Sequence, residues 1–466
     1  MTASLRSLAV AATAVVLAAG CAHPLRVADP GVTMPISWTE AVAASPTALQ
    51  LESRWWKRFG SVELEALIDE ALAGNPDLAI ATERVVQAEI AARSAGASLF
   101  PRVDLNAATS ARASDGGAGA SREQSSSVAI GISYEIDIWG SNITRLRGSR
   151  AQLMATRHDY EAARLSIVAA IANAYTQVLA QRARLEIAYE NLAIAERLFA
   201  IVESRYRHGA ASALDLSRQR TQVLSQRDAI VPMQVQERQS LRALAILIGR
   251  VPQDFDISGP GFGQLAIPEL DVPLPGELLA RRPDLAAVEA RLAAADADIG
   301  VARAALFPLR LSLGSSAGLS STDFGLVNLG NPASTVSITL SLIQAVFDGG
   351  RLRGQVEASE SQYRQVLESY RGTILTALKE VDDALAAVER SRIQEQAQLE
   401  IRTETERSLR LSELRYREGS DSLGTLLDAQ RSLFASQDQL VQQRLARINA
   451  TVDLYKALGG GWLVGF

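Results

Sequence analysis

One motif occurs twice and sets the plan of the chain. Arg205-Tyr206-Arg207-His208-Gly209-Ala210-Ala211-Ser212 leads into Leu214-Asp215-Leu216. Arg415-Tyr416-Arg417-Glu418-Gly419-Ser420-Asp421-Ser422 leads into Thr425-Leu426-Leu427-Asp428-Ala429-Gln430. Tyr, Gly and Ser keep their mutual spacing in both copies. An apolar-periodic segment stops at each Gly, and another leaves from each Ser. Gly tolerates the left-handed conformation that ends a helix, and Ser is a good N-cap for the next one. Each copy therefore predicts the tip of a helical hairpin.

A second motif pair shows that the whole unit is duplicated. Asn75-Pro76-Asp77-Leu78 corresponds to Arg282-Pro283-Asp284-Leu285, and Phe100-Pro101 to Phe307-Pro308. Pro76 to Pro101 and Pro283 to Pro308 are separated by the same 25 residues. Pro is acceptable in a first helical turn with Asn75 as cap, and Phe-Pro stops the helix that follows. An internal repeat overrides the two or three ordinary domains that the length would otherwise predict.

After each Phe-Pro the hydrophobic period changes from 3.6 to 2. Residues 102–107 and 309–314 alternate polar and apolar. Small-residue, Gly-rich turns are expected at Ser110–Ser126 and Ser315–Ser334. The return strands carry Val128, Ile130, Ile132, Tyr134, Ile136 and Ile138 in one case, and Val336, Ile338, Leu340 and Leu342 in the other. Each is about as long as a tilted strand needs to cross a bilayer. A half-exposed soluble sheet gives the same alternation. After Trp139-Gly140 and Asp348-Gly349-Gly350 the helical period returns. From Ile143 to Arg207 there is no Pro, so this helix reaches on the order of 95 Å if straight. Along the segment from Arg351, Leu352, Val356, Ser359, Tyr363, Val366, Tyr370, Thr373 and Ala377 step by four and three. A second seam, Ile374, Leu378, Val381, Leu385 and Val388, runs beside it. Two seams predict neighbours on both sides, as in a helical cylinder.

The N-terminus reads as a targeting segment. Arg6 precedes an apolar run, Leu8–Ala19, that is too short to span a membrane. The run ends in Leu17-Ala18-Ala19-Gly20-Cys21, and small residues before a Cys resemble a bacterial lipobox. Cys21 is the single cysteine, which fits lipid attachment and excludes an intrachain disulfide. An ordinary signal peptide cut near Ala22 is the alternative. Residues 21–60 then read as a lipid-anchored tether, pinned by Trp55, Trp56 and Phe59. The other expected bounds are a signal peptide at 1–20, a first repeat at 61–250 and a linker at 251–275. A second repeat at 276–458 and a tail at 459–466 complete the chain. Strands are expected at about 102–138 and 309–344, and the tips at about 206–212 and 416–422.

Nothing in the chain reads as catalytic. The net charge of −5 carries no basic footprint, which argues against nucleic acid. Gly314-Ser315-Ser316-Ala317-Gly318 matches a nucleophile elbow, but a Gly/Ser loop follows it, and His23, His158 and His208 all precede it. The histidines have no metal-ligand spacing, and no phosphate loop is present. Asp382 and Asp383 are adjacent on a helix, so they read as solvated. No cofactor is expected beyond a covalent lipid on Cys21.

Two strand pairs give four strands, which cannot close a barrel, and open edges are not viable in lipid. Three chains give twelve strands and bring six helical hairpins round one axis. The Trp-Trp start, the doubled Pro-Asp-Leu to Phe-Pro unit, Tyr134–Gly140 and the two tips together resemble the TolC-like outer-membrane factors. The lipobox and Leu426–Leu433 are most similar to the OprM-type lipoprotein branch of multidrug efflux. The resemblance covers essentially the whole mature chain. It implies an α+β membrane protein, a trimeric channel-tunnel. In it a twelve-stranded β-barrel continues into a long periplasmic α-helical barrel.

The same resemblance implies an outer-membrane exit duct that conducts drugs or other small toxic compounds from an inner-membrane pump of the RND type. A periplasmic membrane-fusion adaptor would dock at tips formed by Gly209, Ser212, Gly419 and Ser422, although Gly and Ser also serve simply as caps. Asp428 and Asp215 would constrict the periplasmic gate, with Tyr416 helping to latch it. Asp428 on the solvated face of an amphipathic helix is the alternative. The sequence departs from some members at Thr425 and Asp421, which implies a simpler latch. A type I protein-secretion duct is the other reading within the fold. A non-pore periplasmic coiled-coil scaffold lacks any use for the four strands.

Overall fold

The computed structural model describes residues 30–39, 54–116, 119–268, 274–307, 310–322, 333–343, 347–460 and 462. Cys21, the signal peptide expected at 1–20 and most of the expected tether lie outside them. The described residues hold seven α-helices and four strands. In chain order they are α1 (Val62–Gly74), α2 (Pro76–Ala97), β1 (Arg102–Gly116), β2 (Gly119–Ile136), α3 (Ser141–Arg207) and α4 (Ala213–Ile248). There follow α5 (Pro283–Leu306), β3 (Arg310–Ser321), β4 (Ala333–Ile343), α6 (Arg351–Arg417) and α7 (Leu423–Ala457). The long helices α3 and α6 have the same length, 67 residues, or about 100 Å at 1.5 Å per residue. No described helix is long and apolar enough to cross a membrane.

The chain divides into two compact units, and the division cuts across the two repeats. The first holds Arg84–Arg157 and Ala287–Arg371; the second holds Gly31–Glu83, His158–Ala286 and Gly372–Phe466. Each repeat thus contributes to both units.

In the first unit the four strands form one antiparallel sheet in the order β1-β2-β3-β4. Its register gathers the alternating residues into rows. Val103 faces Ile132, Ile132 faces Ser315, and Ser315 faces Ile338. The next apolar row is Leu105, Ile130, Ala317 and Val336. Toward the helices come Tyr134, Leu313 and Leu340, then Ile136, Leu311 and Leu342. Between them run polar rows such as Asp104, Gly131, Ser316 and Ser337. Directly opposed residues share a face, so one face is apolar across all four strands and the other polar.

The expected turns at 110–126 and 315–334 are corrected. Strand pairing continues outward to Gly116 and Gly119, and β3 runs to Ser321. Small hydroxylated side chains carry this extension. Ser110 bonds Ser125 at 2.8 Å, and Ser316 bonds Ser337 at 2.8 Å. Such residues look like a turn by propensity, but cross-strand pairing decides their state. The same ladder corrects the elbow match, because Gly314–Gly318 sits within β3. In the same unit, Leu292, Ala295 and Ile299 of α5 pack on Tyr363 of α6. Every member of the two expected seams on α6 is at least partly buried within one chain.

The second unit is built round Trp55, Trp56 and Phe59, all buried, with the Trp55 ring stacked on Tyr455 at 4.8 Å. The span read as a linker is fastened to this core. Ile257, Phe262 and Leu265 are buried, Glu63 accepts the N–H groups of Ser258 and Gly259, and Arg444 donates to the carbonyls of Gly263 and Leu265. Asp382 is not simply solvated: it accepts from the backbone N–H and the hydroxyl of Thr39.

The duplication reaches individual hydrogen bonds. The Asn75 amide donates to the Leu247 carbonyl at the end of α4, at 2.7 Å. Its counterpart Arg282 donates to the Ala457 carbonyl at the end of α7, at 3.0 Å. Beside each sits a left-handed glycine, Gly249 (φ 82°) or Gly459 (φ 87°). A Cβ on either would strike backbone, that of Gly74 or of Arg281.

Candidate functional site

Both helical tips lie in the second unit, and local rules build them. Gly209 has φ 72° and Gly419 φ 77°. At each, two N–H groups turn back onto the last carbonyls of the arriving helix, the Schellman arrangement. Gly209 donates to Tyr206 and Ala210 to Arg205 in the first tip; Gly419 donates to Tyr416 and Ser420 to Arg415 in the second. Open space surrounds Gly209, and only the end of Arg205 comes near Gly419. Conformation, not crowding, therefore calls for Gly at both.

Ser212 and Ser422 are the N-caps of α4 and α7, accepting from the N–H groups of Asp215 and Thr425. Asp215 completes a capping box: its carboxylate accepts from the Ser212 N–H at 3.1 Å and the Ser212 hydroxyl at 2.7 Å. The structure therefore gives Asp215 a local bonding role that the gate expectation did not include. Thr425 takes its place in the second tip, with its hydroxyl 3.2 Å from that of Ser422. Asp421 accepts from the Ser422 N–H, and this bond holds its carboxyl below the usual carboxylate range.

The two tips are locked together by a residue that the sequence reading missed. Arg205, on the first tip, lays its guanidinium over the Tyr416 ring, 4.7 Å from the centroid. It donates to the carbonyls of Tyr416 and Arg417 at the end of α6. A cation there meets both the open carbonyls and the negative end of the helix dipole. Further along the pair, Arg197 reaches Glu413 at 3.4 Å. Tyr416 is 5% exposed and packs with Leu198, Val202, Leu423, Leu426 and Leu427. Burial, chiefly, pushes its hydroxyl pKa up. Asp428 is not brought to Tyr416. Its side chain is 79% exposed, with a loose contact to Arg431 at 3.8 Å, while Leu426, Leu427, Ala429 and Gln430 around it are buried.

A single chain thus presents a four-stranded sheet with one apolar and one polar face, two open sheet edges and paired helical tips. No group of His, Cys, Asp and Glu able to hold a metal occurs among the described residues. The sheet and the tips are consistent with one subunit of an outer-membrane channel.

Comparison with known proteins places the chain within that class. It belongs to the outer membrane efflux protein family, whose model matches residues 67–250 and 274–460, one match in each repeat. It is 37% identical to the pyoverdine export outer membrane protein OpmQ of Pseudomonas aeruginosa, over 97% of this chain and 96% of that one. It is 34% identical to the toluene efflux pump outer membrane protein TtgC of Pseudomonas putida, over 99% and 96%. Among solved structures, the MtrE outer membrane channel of Neisseria gonorrhoeae superposes with a TM-score of 0.80 at 27% identity, covering 93% of this chain and 96% of that one. The fold is the trimeric channel-tunnel of this family, the protein resides in the outer membrane, and its function is efflux.

Proposed function

We propose that the chain is the passive exit duct of a tripartite pump, joined through a periplasmic adaptor to an inner-membrane transporter of the RND type. The relatives named for export of pyoverdine and toluene support small organic cargo. The observation that carries the reading is the sheet register. Four strands with one apolar face close only with partner chains, and their polar face then lines a conduit. Cys21 carries the lipid that anchors the mature N-terminus. The tips at Gly209, Ser212, Gly419 and Ser422 receive the adaptor. Asp428, exposed in one chain, forms the acidic ring of the gate, and Tyr416 supports that ring by packing. The polypeptide contributes a path and a gate; the inner-membrane partner supplies the energy.

The test is crosslinking in the native cell followed by mass spectrometry of the captured proteins, alongside a deletion strain. Capture of an adaptor with a proton-driven transporter, and retention of dyes and organic toxins on deletion, are expected. Capture of an ATP-driven exporter, with loss of a secreted protein from the medium, would transfer the duct to type I secretion.

A further inference from the structure

The link between the two tips uses one side of each hairpin, and the duplication makes a second copy of both sides. Residues of the second tip stand 210 positions after those of the first. Arg205 corresponds to Arg415, Tyr206 to Tyr416, Arg197 to Arg407, and Glu203 to Glu413. Within one chain the Arg side of the first hairpin meets the Tyr/Glu side of the second. Arg205 covers Tyr416 and its carbonyl, and Arg197 reaches Glu413. The remaining halves are the Arg side of the second hairpin and the Tyr/Glu side of the first.

Those halves are open. Tyr206 is 42% exposed, against 5% for Tyr416. The Glu203 side chain is 46% exposed, against 15% for Glu413. The Arg415 side chain is 63% exposed, with Asp421 at 3.6 Å, and Arg407 is exposed. A local ion pair does not preclude the wider contact, because Glu413 holds both Arg417 of its own helix and Arg197. The open halves have the same chemistry, in the same positions, as the halves that already bind each other. Within one chain they lie on the outer flanks of the hairpin pair. A second copy of this chain brings them together, since a closed ring of three chains alternates first and second hairpins.

We infer that Arg415 of each subunit clamps the first tip of its neighbour. Its guanidinium lies over Tyr206 of the partner subunit and donates to the carbonyls of Tyr206 and Arg207 of the partner subunit. Arg407 meets Glu203 of the partner subunit. The ring then has six equivalent clamps: three within chains, through Arg205, and three between chains, through Arg415. An Arg–carbonyl and Arg–aromatic contact is shape-specific in a way that a lysine contact is not. Asp421 has no acidic counterpart in the first tip, where Ala211 stands. It meets the Arg415 Nε at 3.6 Å, which leaves the Nη groups for the clamp.

The test uses full-length trimer purified in detergent and a short bis-maleimide. Arg415→Cys with Tyr206→Cys is expected to give covalent dimers and trimers on a denaturing gel. Arg205→Cys with Tyr416→Cys is expected to link only within the chain, leaving the monomer band compacted. Each single variant and the unaltered protein serve as controls. Charge reversal gives an independent reading: Arg407→Glu should lower the temperature at which the trimer dissociates, and adding Glu203→Arg should restore it. Two results would overturn the clamp. One is an intact trimer whose 206/415 pair yields no intersubunit product while the 205/416 pair links normally. The other is a Glu203→Arg change that deepens the Arg407→Glu defect.

Discussion

Tyr416 shows how a residue can matter through its ring rather than its hydroxyl. The ring is buried in the tip cluster and covered by the Arg205 guanidinium. Tyr416→Phe keeps the burial and most of the cation–π attraction, so it should change trimer stability by no more than about 1 kcal/mol. Tyr416→Ala opens a cavity and should cost about 3–5 kcal/mol, read from thermal dissociation in detergent. If Tyr416→Phe raised channel conductance while stability held, the hydroxyl would be the latch and packing would be secondary. The sequence announced Tyr416, Gly419 and Ser422 because turn chemistry is local and repeats with fixed spacing. It could not announce Arg205, whose bond to the Tyr416 carbonyl spans 211 positions of chain. The signal that could have found it is the repeat itself, since each Tyr follows an Arg at both tips.

At the level of elements, the strands and junctions were legible to different depths. Period-2 alternation fixed the faces, and the observed pairing places Ile132 in an apolar row and Ser133 in a polar one. Ile132→Arg near the bilayer midplane should therefore cost about 2–4 kcal/mol in folding into lipid vesicles, whereas Ser133→Gln should be tolerated. The opposite ranking would mean a register slipped by one residue. Strand ends were not legible, because Ser, Thr, Ala and Gly give no periodic signal and only the partner strand defines their state. The junction glycines are a sharper case. Gly249 and Gly459 combine left-handed backbone with a carbonyl where a Cβ would go. Ala at either site adds backbone strain of about 1 kcal/mol or more to a collision that only a shift of α1 or α5 relieves. Both variants should lose trimer yield and dissociate at lower temperature. Gly209→Ala, which has open space, should suffer the strain alone and be the mildest of the three.

For the molecule as a whole, the deciding property is that a single chain leaves its sheet edges and one side of each tip unfilled. The sheet has two open edges, β1 and β4, the tips have two open flanks, and one Asp428 is not a ring. In the proposed gate, three-fold symmetry repeats Asp428 as a ring, so the gate should respond to the number of altered subunits and not merely to their presence. Like carboxylates gathered in a narrow mouth attract cations and favour block by multivalent cations. Asp428→Asn should weaken cation selectivity and that block in planar bilayers, with thermal stability unchanged because the side chain is exposed. Asp383→Asn is the appropriate control, since among the described residues Asp383 pairs along its own helix with Lys379, whereas Asp382 holds Thr39. Co-expressing unaltered chains and Asp428→Asn chains with different affinity tags yields trimers with none, one, two or three substitutions. Selectivity and block should fall in successive steps across these trimers, because each carboxylate contributes to one shared potential. If the mixed trimers behaved like the unaltered protein and only the full variant changed, a single carboxylate would suffice for the gate. If even the full variant kept wild-type selectivity and block, Asp428 would face solvent outside the pore, and the constriction would have to be sought elsewhere on α7.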